Sequence, residues 1–386
     1  MSLTNPYTPK TPQEPKVFLG RIQQVEFFIN AHKDVKNYRQ NHFIILGEWG
    51  VGKTSLLREY KNIAQKNGAV CALIQLREVR KEDTLRDLME YLVEQIALRL
   101  PLNLMKLKSF TKELTAGGVN LMGIGFEFSR ENKRGDPQTF FYKTLLNLWQ
   151  DVKKENKAIV VLIDDIQNFS TIPEVISVIK SVLSDEKIVK ETKFLFVLSS
   201  TQDGWKQFLQ RDHPIGRYFT PRLKLENLSE KETLELIEKN LKGTGVSFSK
   251  EVKKNIFTYT VGHLYETQVL CSHLFENQIN GKVTISTFEP ALKATLDVIG
   301  EEVFNQMFYS ASEKEQQVLR VLAHNFEPSS FSALQTAAKS MYKLPESSVS
   351  KLVNRLIEKN LIIKPAKAKY FIPDALFREY LIRQKI

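Results

Sequence analysis

Cysteine is nearly absent from this sequence. Cys71 and Cys271 are the two in 386 residues, and each lies inside an apolar stretch. That count gives no disulfide framework and no cysteine-based metal centre, and it predicts buried thiols in a reducing, cytoplasmic setting. Long apolar runs are missing too. No uninterrupted one is longer than Ala158–Ile163, against the roughly 20 residues that a membrane-spanning helix needs. The first residues, MSLTNPYTPKTPQEPK, are polar and proline-rich and lack the apolar centre of a secretory signal. No internal repeat is visible. Disorder as a general state is excluded by a hydrophobic content of 42%. What the sequence has in surplus is positive charge: 55 Lys and Arg against 44 Asp and Glu, a net +11. The length suits two to three domains, and the charge raises the question of an acidic partner.

The chain divides by pattern. Residues 1–16, with Pro6, Pro9, Pro12 and Pro15, read as an extended arm. Residues 17–225 alternate short apolar runs with helical periodicity, the mark of a layered α/β domain. The strand-like runs are Phe43–Leu46, Val70–Leu76, Ile159–Ile163, Phe194–Leu198 and, more weakly, Arg222–Leu225. Helical spacing marks Leu56–Ala64, Leu85–Leu98 and Phe140–Val152. An insertion over residues 106–134 breaks the rhythm, and its alternation predicts a hairpin or exposed ribbon. Residues 226–299 are expected to be helical, with capping-box spacing at Ser229/Glu232 and Ser286/Glu289. Residues 300–386 read as three helices followed by a two-stranded wing.

The strongest local signal is Gly47-Glu48-Trp49-Gly50-Val51-Gly52-Lys53-Thr54, a full match to G-x-x-x-x-G-K-[ST]. The glycines allow the loop to curl so that successive N–H groups face phosphate oxygens. Lys53 supplies a mobile positive charge, and Thr54 a hydroxyl for Mg²⁺. Ser55 follows at the start of a helix whose amino-terminal dipole favours the phosphates. A second signal is the apolar strand Ile159–Ile163 ending in Asp164 and Asp165. In an open parallel sheet, ligands lie at the carboxyl ends of the strands. Asp164 is therefore the candidate Mg²⁺ residue and Asp165 the candidate base for water. A third is Phe194–Leu198 followed by Ser199-Ser200-Thr201, where Ser200 is the candidate γ-phosphate sensor; a plain strand-to-loop transition is the alternative.

Near the carboxyl terminus, Val349, Leu352, Val353 and Leu356 form one apolar helix face. Ser347, Ser350, Lys351, Asn354 and Arg355 share the other, and Lys364, Lys367 and Lys369 lie on the wing. From Lys351 to Ile386 there are nine Lys and Arg against three Asp and Glu, so the last 36 residues carry +6 of the net charge. This is the composition of a DNA recognition helix. A solvated basic face is the bland alternative.

These motifs together resemble P-loop ATPases of the AAA+/STAND superfamily, of the archaeal type with a C-terminal winged helix. Phe18-Leu19-Gly20-Arg21, after Asn5-Pro6-Tyr7, resembles the F-x-G-R box and its N-P-[FY] lead-in, which in such families lies against adenine. Ile215-Gly216-Arg217 resembles the G-R passage into the lid, and Val261-Gly262-His263-Leu264-Tyr265 resembles the G-G-H-P-Y lid motif, with Val261 and Leu264 departing from it. The last 85 or so residues resemble a winged helix-turn-helix. The resemblance implies a parallel P-loop sheet, a helical lid and a winged-helix domain. It implies ATP and ADP with Mg²⁺, and a slow, switch-like ATPase. Phe18, Gly20, Arg21 and His263 would contact nucleotide, and Arg217 would read the γ-phosphate in cis or from a neighbouring copy. Since no [NT]-K-x-D motif occurs, ATP is favoured over GTP. The implied partners are duplex DNA, a homo-oligomer in the ATP state, or a protein held by the winged helix, and no membrane. A DNA-binding protein of this kind would associate with the nucleoid. Besides a DNA-associated switch, a signalling or defence switch acting through protein contacts stays open. A replication-initiator-like ATPase and a transposition-regulator ATPase stay open as well.

Overall fold

The computed structural model describes residues 4–9, 18–100, 136–211 and 215–384. The expected ribbon over 106–134 lies outside them, as does most of the arm. The chain forms two compact units, one of residues 20–226 and one that joins residues 1–19 to 227–386.

The first unit is built on a five-stranded parallel sheet. Its strands are β1 (Phe43–Leu46), β2 (Val70–Gln75), β3 (Ile159–Asp164), β4 (Phe194–Ser200) and β5 (Arg222–Lys224), in the order β2-β3-β4-β1-β5. Strands β1, β3 and β4 are buried along their whole length, as expected where helices cover both faces of a parallel sheet. The register sets Leu46 beside both Ser200 and Lys224, Ile163 beside Leu198, and Gln75 beside Asp164. The carboxyl ends of the strands therefore form one edge. Helices Lys53–Lys66, Leu85–Arg99 and Pro137–Val152 follow their apolar spacing. Thr84 and Asp87 close a capping box on the second, and Asp136 caps the third just ahead of Pro137.

The second unit is mainly helical. Helices Glu230–Leu241, Lys250–Thr260, Leu264–Glu276 and Ile285–Ile299 are joined by the small parallel pair β6 (Ser247–Phe248) and β7 (Lys282–Val283). Ser229 and Glu232 form the expected capping box. Ser286 does not cap a helix. Thr284 holds the N-cap position, Ser286 lies inside the helix, and Glu289 pairs with Arg383 instead. Arm residue Tyr7 is buried, stacked on Phe248 and edge-on to Phe275, while Asn5 Nδ2 donates to the Ser272 carbonyl and hydroxyl. Helices Glu313–Ala323, Phe331–Tyr342 and Glu346–Glu358 follow. They lead into an antiparallel sheet of β8 (Ser329–Ser330), β9 (Ile363–Ala366) and β10 (Lys369–Phe371), ordered β8-β10-β9. That is a winged helix. A last helix, Ala375–Arg383, capped by Asp374, was not foreseen from sequence. Residues of the lid helices and of the winged helix share one continuous apolar core, and the helical path runs through 299–300 as a π-turn, Gly300–Phe304. Among the described residues no helix is long and apolar enough to cross a membrane.

Candidate active site

The loop between β1 and the helix Lys53–Lys66 needs backbone that most residues avoid. Gly50 and Gly52 have φ of 75° and 98°, in the left-handed region that glycine enters freely. Gly47 is required by closeness: a Cβ there would lie 2.7 Å from Val51 Cγ2. Gly47 N–H donates to the Ser200 carbonyl at 3.1 Å, tying the loop to the end of β4. Val51 is buried, whereas Glu48 and Trp49 are exposed at the loop tip. Lys53 is buried, and its Nζ donates to the Gly47 and Glu48 carbonyls at 2.9 and 3.0 Å. Burial lowers the Lys53 pKa, opposed by the charges of Asp165, Asp164 and Glu48. Ser55 follows Thr54, half-buried in the first turn of the helix.

The acidic strand meets this loop through hydroxyls. Thr54 Oγ1 donates to Asp164 Oδ2 at 2.5 Å, and Ser199 Oγ donates to Asp164 Oδ1. Asp164 is fully buried, and burial, reinforced by the neighbouring Asp165 charge, raises its pKa. Asp165 takes the left-handed conformation, φ 55° and ψ 51°, which Asp tolerates better than most residues. Its N–H donates to Ser199 Oγ at 3.1 Å. Ser199 thus bridges both carboxylate-bearing residues. Sequence pattern singled out its neighbour Ser200, and the signal for Ser199 was its place in the same polar strand end. Ser200 is buried, and its Oγ has no hydrogen-bond partner among the described residues.

The residues fit a magnesium–nucleotide ligand. A hydroxyl and a carboxylate offer hard oxygen donors at one point, and the buried Ser200 hydroxyl lacks a partner among the described residues. Among the described residues no cluster of three or more His, Cys, Asp or Glu side chains could hold a metal by itself. Mg²⁺ takes one or two protein ligands and completes its shell from phosphates and water.

Other candidate residues are placed as follows. Phe18 and Gly20 are half-buried, Gly20 with φ 66°. Arg21 Nη2 donates to the Val51 and Glu226 carbonyls at 3.1 and 2.7 Å, bracing the loop against the strand-β5 exit. Arg217 is exposed on the short helix Ile215–Tyr218. Its neighbour Tyr218 lies 5.5 Å from the His42 ring, just ahead of β1, so Arg217 is at the amino-terminal edge of the sheet. The loop lies at the other edge, a strand length of about 13 Å away. The structure therefore places Arg217 at the opposite edge of the sheet from the loop of its own chain.

In the second unit, His263 caps the helix Leu264–Glu276, its Nδ1 accepting from Glu266 N–H at 3.5 Å and lying 3.3 Å from Glu266 Oε1. Glu266 is buried and its pKa is well raised, by burial first and then by Asp374. Val261 has φ 46°, a costly conformation for a β-branched residue. Gly262 is irreplaceable, because a Cβ would lie 1.9 Å from the Leu228 carbonyl.

On the winged helix, Val349, Leu352, Val353 and Leu356 are buried, while Ser347, Ser350, Lys351, Asn354, Arg355, Lys364, Lys367 and Lys369 are exposed. Three of the nine basic residues in the tail serve the fold instead. Lys359 pairs with buried Glu315 at 2.7 Å, Arg383 with Glu289 and Glu379, and Arg378 is buried between the Phe326 and Phe371 rings.

Comparison with known proteins places this geometry. A family model for the AAA ATPase domain matches residues 17–175. No curated protein matches the chain. Among solved structures, the Walker-type ATPase of Pyrococcus abyssi is similar at a TM-score of 0.63 and 16% identity, covering 97% of this chain and 98% of that one. The ORC2 protein of Aeropyrum pernix, solved in ADPNP–ADP complexes, is similar at 0.61 and 15%, covering 97% and 95%. Cdc6p from Pyrobaculum aerophilum is similar at 0.50 and 15%, covering 97% of each chain. At these identities the structures establish the fold. Residues 17–175 are thus similar to AAA ATPase domains, and they contain the P-loop Gly47–Thr54.

Proposed function

We propose that the chain is a slow, Mg²⁺-dependent ATPase whose nucleotide state governs duplex-DNA binding by its winged helix. The observation that carries the catalytic half is the linked set Thr54–Asp164–Ser199–Asp165 beside the glycine loop. In this reading, phosphate oxygens of ATP replace the Gly47 and Glu48 carbonyls as partners of Lys53. The Gly47–Thr54 loop, with its N–H groups, and Ser55 hold the phosphates, and the Ser200 hydroxyl senses the γ-phosphate. Phe18, Gly20, Arg21 and His263 are the candidate nucleotide contacts outside the loop. Thr54 and Asp164 would hold Mg²⁺, which would neutralise phosphate charge when bound. Asp165 accepts a proton from the attacking water as the β–γ bond breaks, giving ADP, phosphate and a proton. Arg217, remote from its own loop, serves the site of a neighbouring copy, which fits a homo-oligomer in the ATP state.

The DNA half rests on the exposed face of Ser347, Ser350, Lys351, Asn354 and Arg355, and on Lys364, Lys367 and Lys369 of the wing. A helix with its apolar side buried and short polar and cationic groups outward suits a major groove, with the wing on phosphates. End-to-end likeness to the ORC2 and Cdc6p folds favours a replication-initiator-like ATPase as the second reading. The test is ATP turnover in purified Lys53→Ala protein. Turnover is expected to fall to background, and an unchanged rate would refute the assignment.

A further inference from the structure

We propose that Gln167 is the positioning residue for Asp165, coupling that carboxylate to the end of β4. This rests on the reading of Asp165 as the acceptor of the water proton. Gln167 lies in the one-turn helix Ile166–Phe169 directly after β3. Its Nε2 donates to Asp165 Oδ1 at 2.9 Å, and its Oε1 accepts from the Thr201 N–H at 3.3 Å. One side-chain amide thus spans from the candidate base to the residue that follows Ser200. Both halves of the amide are used. A carboxylate at position 167 would lose the donor and set a second negative charge against Asp165. A leucine would keep the bulk and lose both bonds.

Packing shows that room is kept for this amide. Gly204 lies within the helix Gln202–Arg211, where glycine costs about 1 kcal/mol relative to alanine. A Cβ at Gly204 would lie 2.3 Å from Gln167 Cβ, and 3.0 Å from Ser200 Oγ. The Gln167 Cβ is fixed by its own backbone and cannot swing away, so the glycine is what lets Gln167 sit where it does. With its N–H on Ser199 Oγ and its Oδ1 on Gln167, Asp165 is held at both backbone and side chain. Such restraint is what fixes a reacting group near its productive geometry. It also links the base to the strand end that would sense the γ-phosphate.

The experiment is steady-state ATP hydrolysis by the full chain with Mg²⁺, with ADP affinity measured by calorimetry. Gln167→Leu, Gln167→Glu, Gly204→Ala and Asp165→Asn are compared with wild type. Both Gln167 variants are expected to lower kcat by roughly tenfold or more, with KM and ADP affinity within about twofold of wild type. Gly204→Ala is expected to give the same split without changing any polar group. Wild-type kcat in both Gln167 variants beside an inactive Asp165→Asn would overturn the bridge alone. So would parallel losses of kcat and ADP affinity, the sign of a merely structural residue. Wild-type kcat in Asp165→Asn would overturn the base assignment and the bridge with it.

Discussion

The two units use polar residues in opposite ways. In the unit of residues 20–226, the functional polar groups are drawn inward: Lys53, Asp164, Ser199 and Ser200 are all buried at the carboxyl edge of one sheet. Their value lies in fixed directions, because buried hydroxyls and carboxylates must find partners. In the other unit, the winged helix presents Lys351, Arg355, Lys364, Lys367 and Lys369 to solvent. Exposed cations contribute little to stability and are free to meet phosphates. A buried site therefore fails when one group changes, whereas an exposed face weakens by degrees.

Lys53→Ala is the harshest break of that comparison. Loss of the buried Lys53 cation should reduce turnover by about 100-fold or more, read by phosphate release. The exposed face should respond in a graded way. Lys351→Glu with Arg355→Glu is expected to weaken duplex-DNA binding by roughly tenfold or more at low salt and to flatten the salt dependence by about two phosphate contacts. A salt titration reads both, and an unchanged slope would remove these residues from the interface.

Acid sharpens the contrast from the side of stability. His42 is fully buried in the first unit, its Nδ1 accepting from Phe196 N–H at 3.0 Å, and burial lowers its pKa to about 3. The unfolded chain takes up a proton near pH 6.5 that the folded chain refuses until pH 3. Stability is therefore complete above pH 6.5 and declines as pH falls below it. The loss at pH 5 is about 2 kcal/mol, measured by denaturant melts. His32, lowered to about 4 by burial and by Lys36, acts in the same direction. His42→Asn, which keeps an acceptor, should flatten the slope. The smallest effect separates the two kinds of tail cation. Lys359→Met should cost about 1–3 kcal/mol by leaving buried Glu315 without its partner, while DNA affinity stays within about twofold.

What was legible in the sequence was what lies close along the chain. The glycine loop, the apolar strand before Asp164 and the amphipathic helix of Val349 to Leu356 each sit within one short window. Their neighbours are set by register and packing. Ser199 reaches Asp164 across a strand pair 35 residues apart, and Gln167 reaches Thr201 across 34. Which edge of the sheet Arg217 occupies is set by the packing of Tyr218 on His42, far from it in sequence. Ser286 and Glu289 have capping-box spacing, but the helix already begins at Ile285 and Arg383 claims Glu289. The tail charge divides for the same reason: the partners of Lys359, Arg378 and Arg383 include residues tens of positions away.

In the proposed function, nucleotide state governs the binding of duplex DNA by the winged helix. Its most direct test is duplex-DNA affinity of the Asp165→Asn protein with Mg²⁺–ATP and with ADP, at one fixed ionic strength. Affinities are expected to differ several-fold between the two nucleotides and to converge when Lys53→Ala is added. Equal affinity in both nucleotide states, with DNA bound, would contradict it.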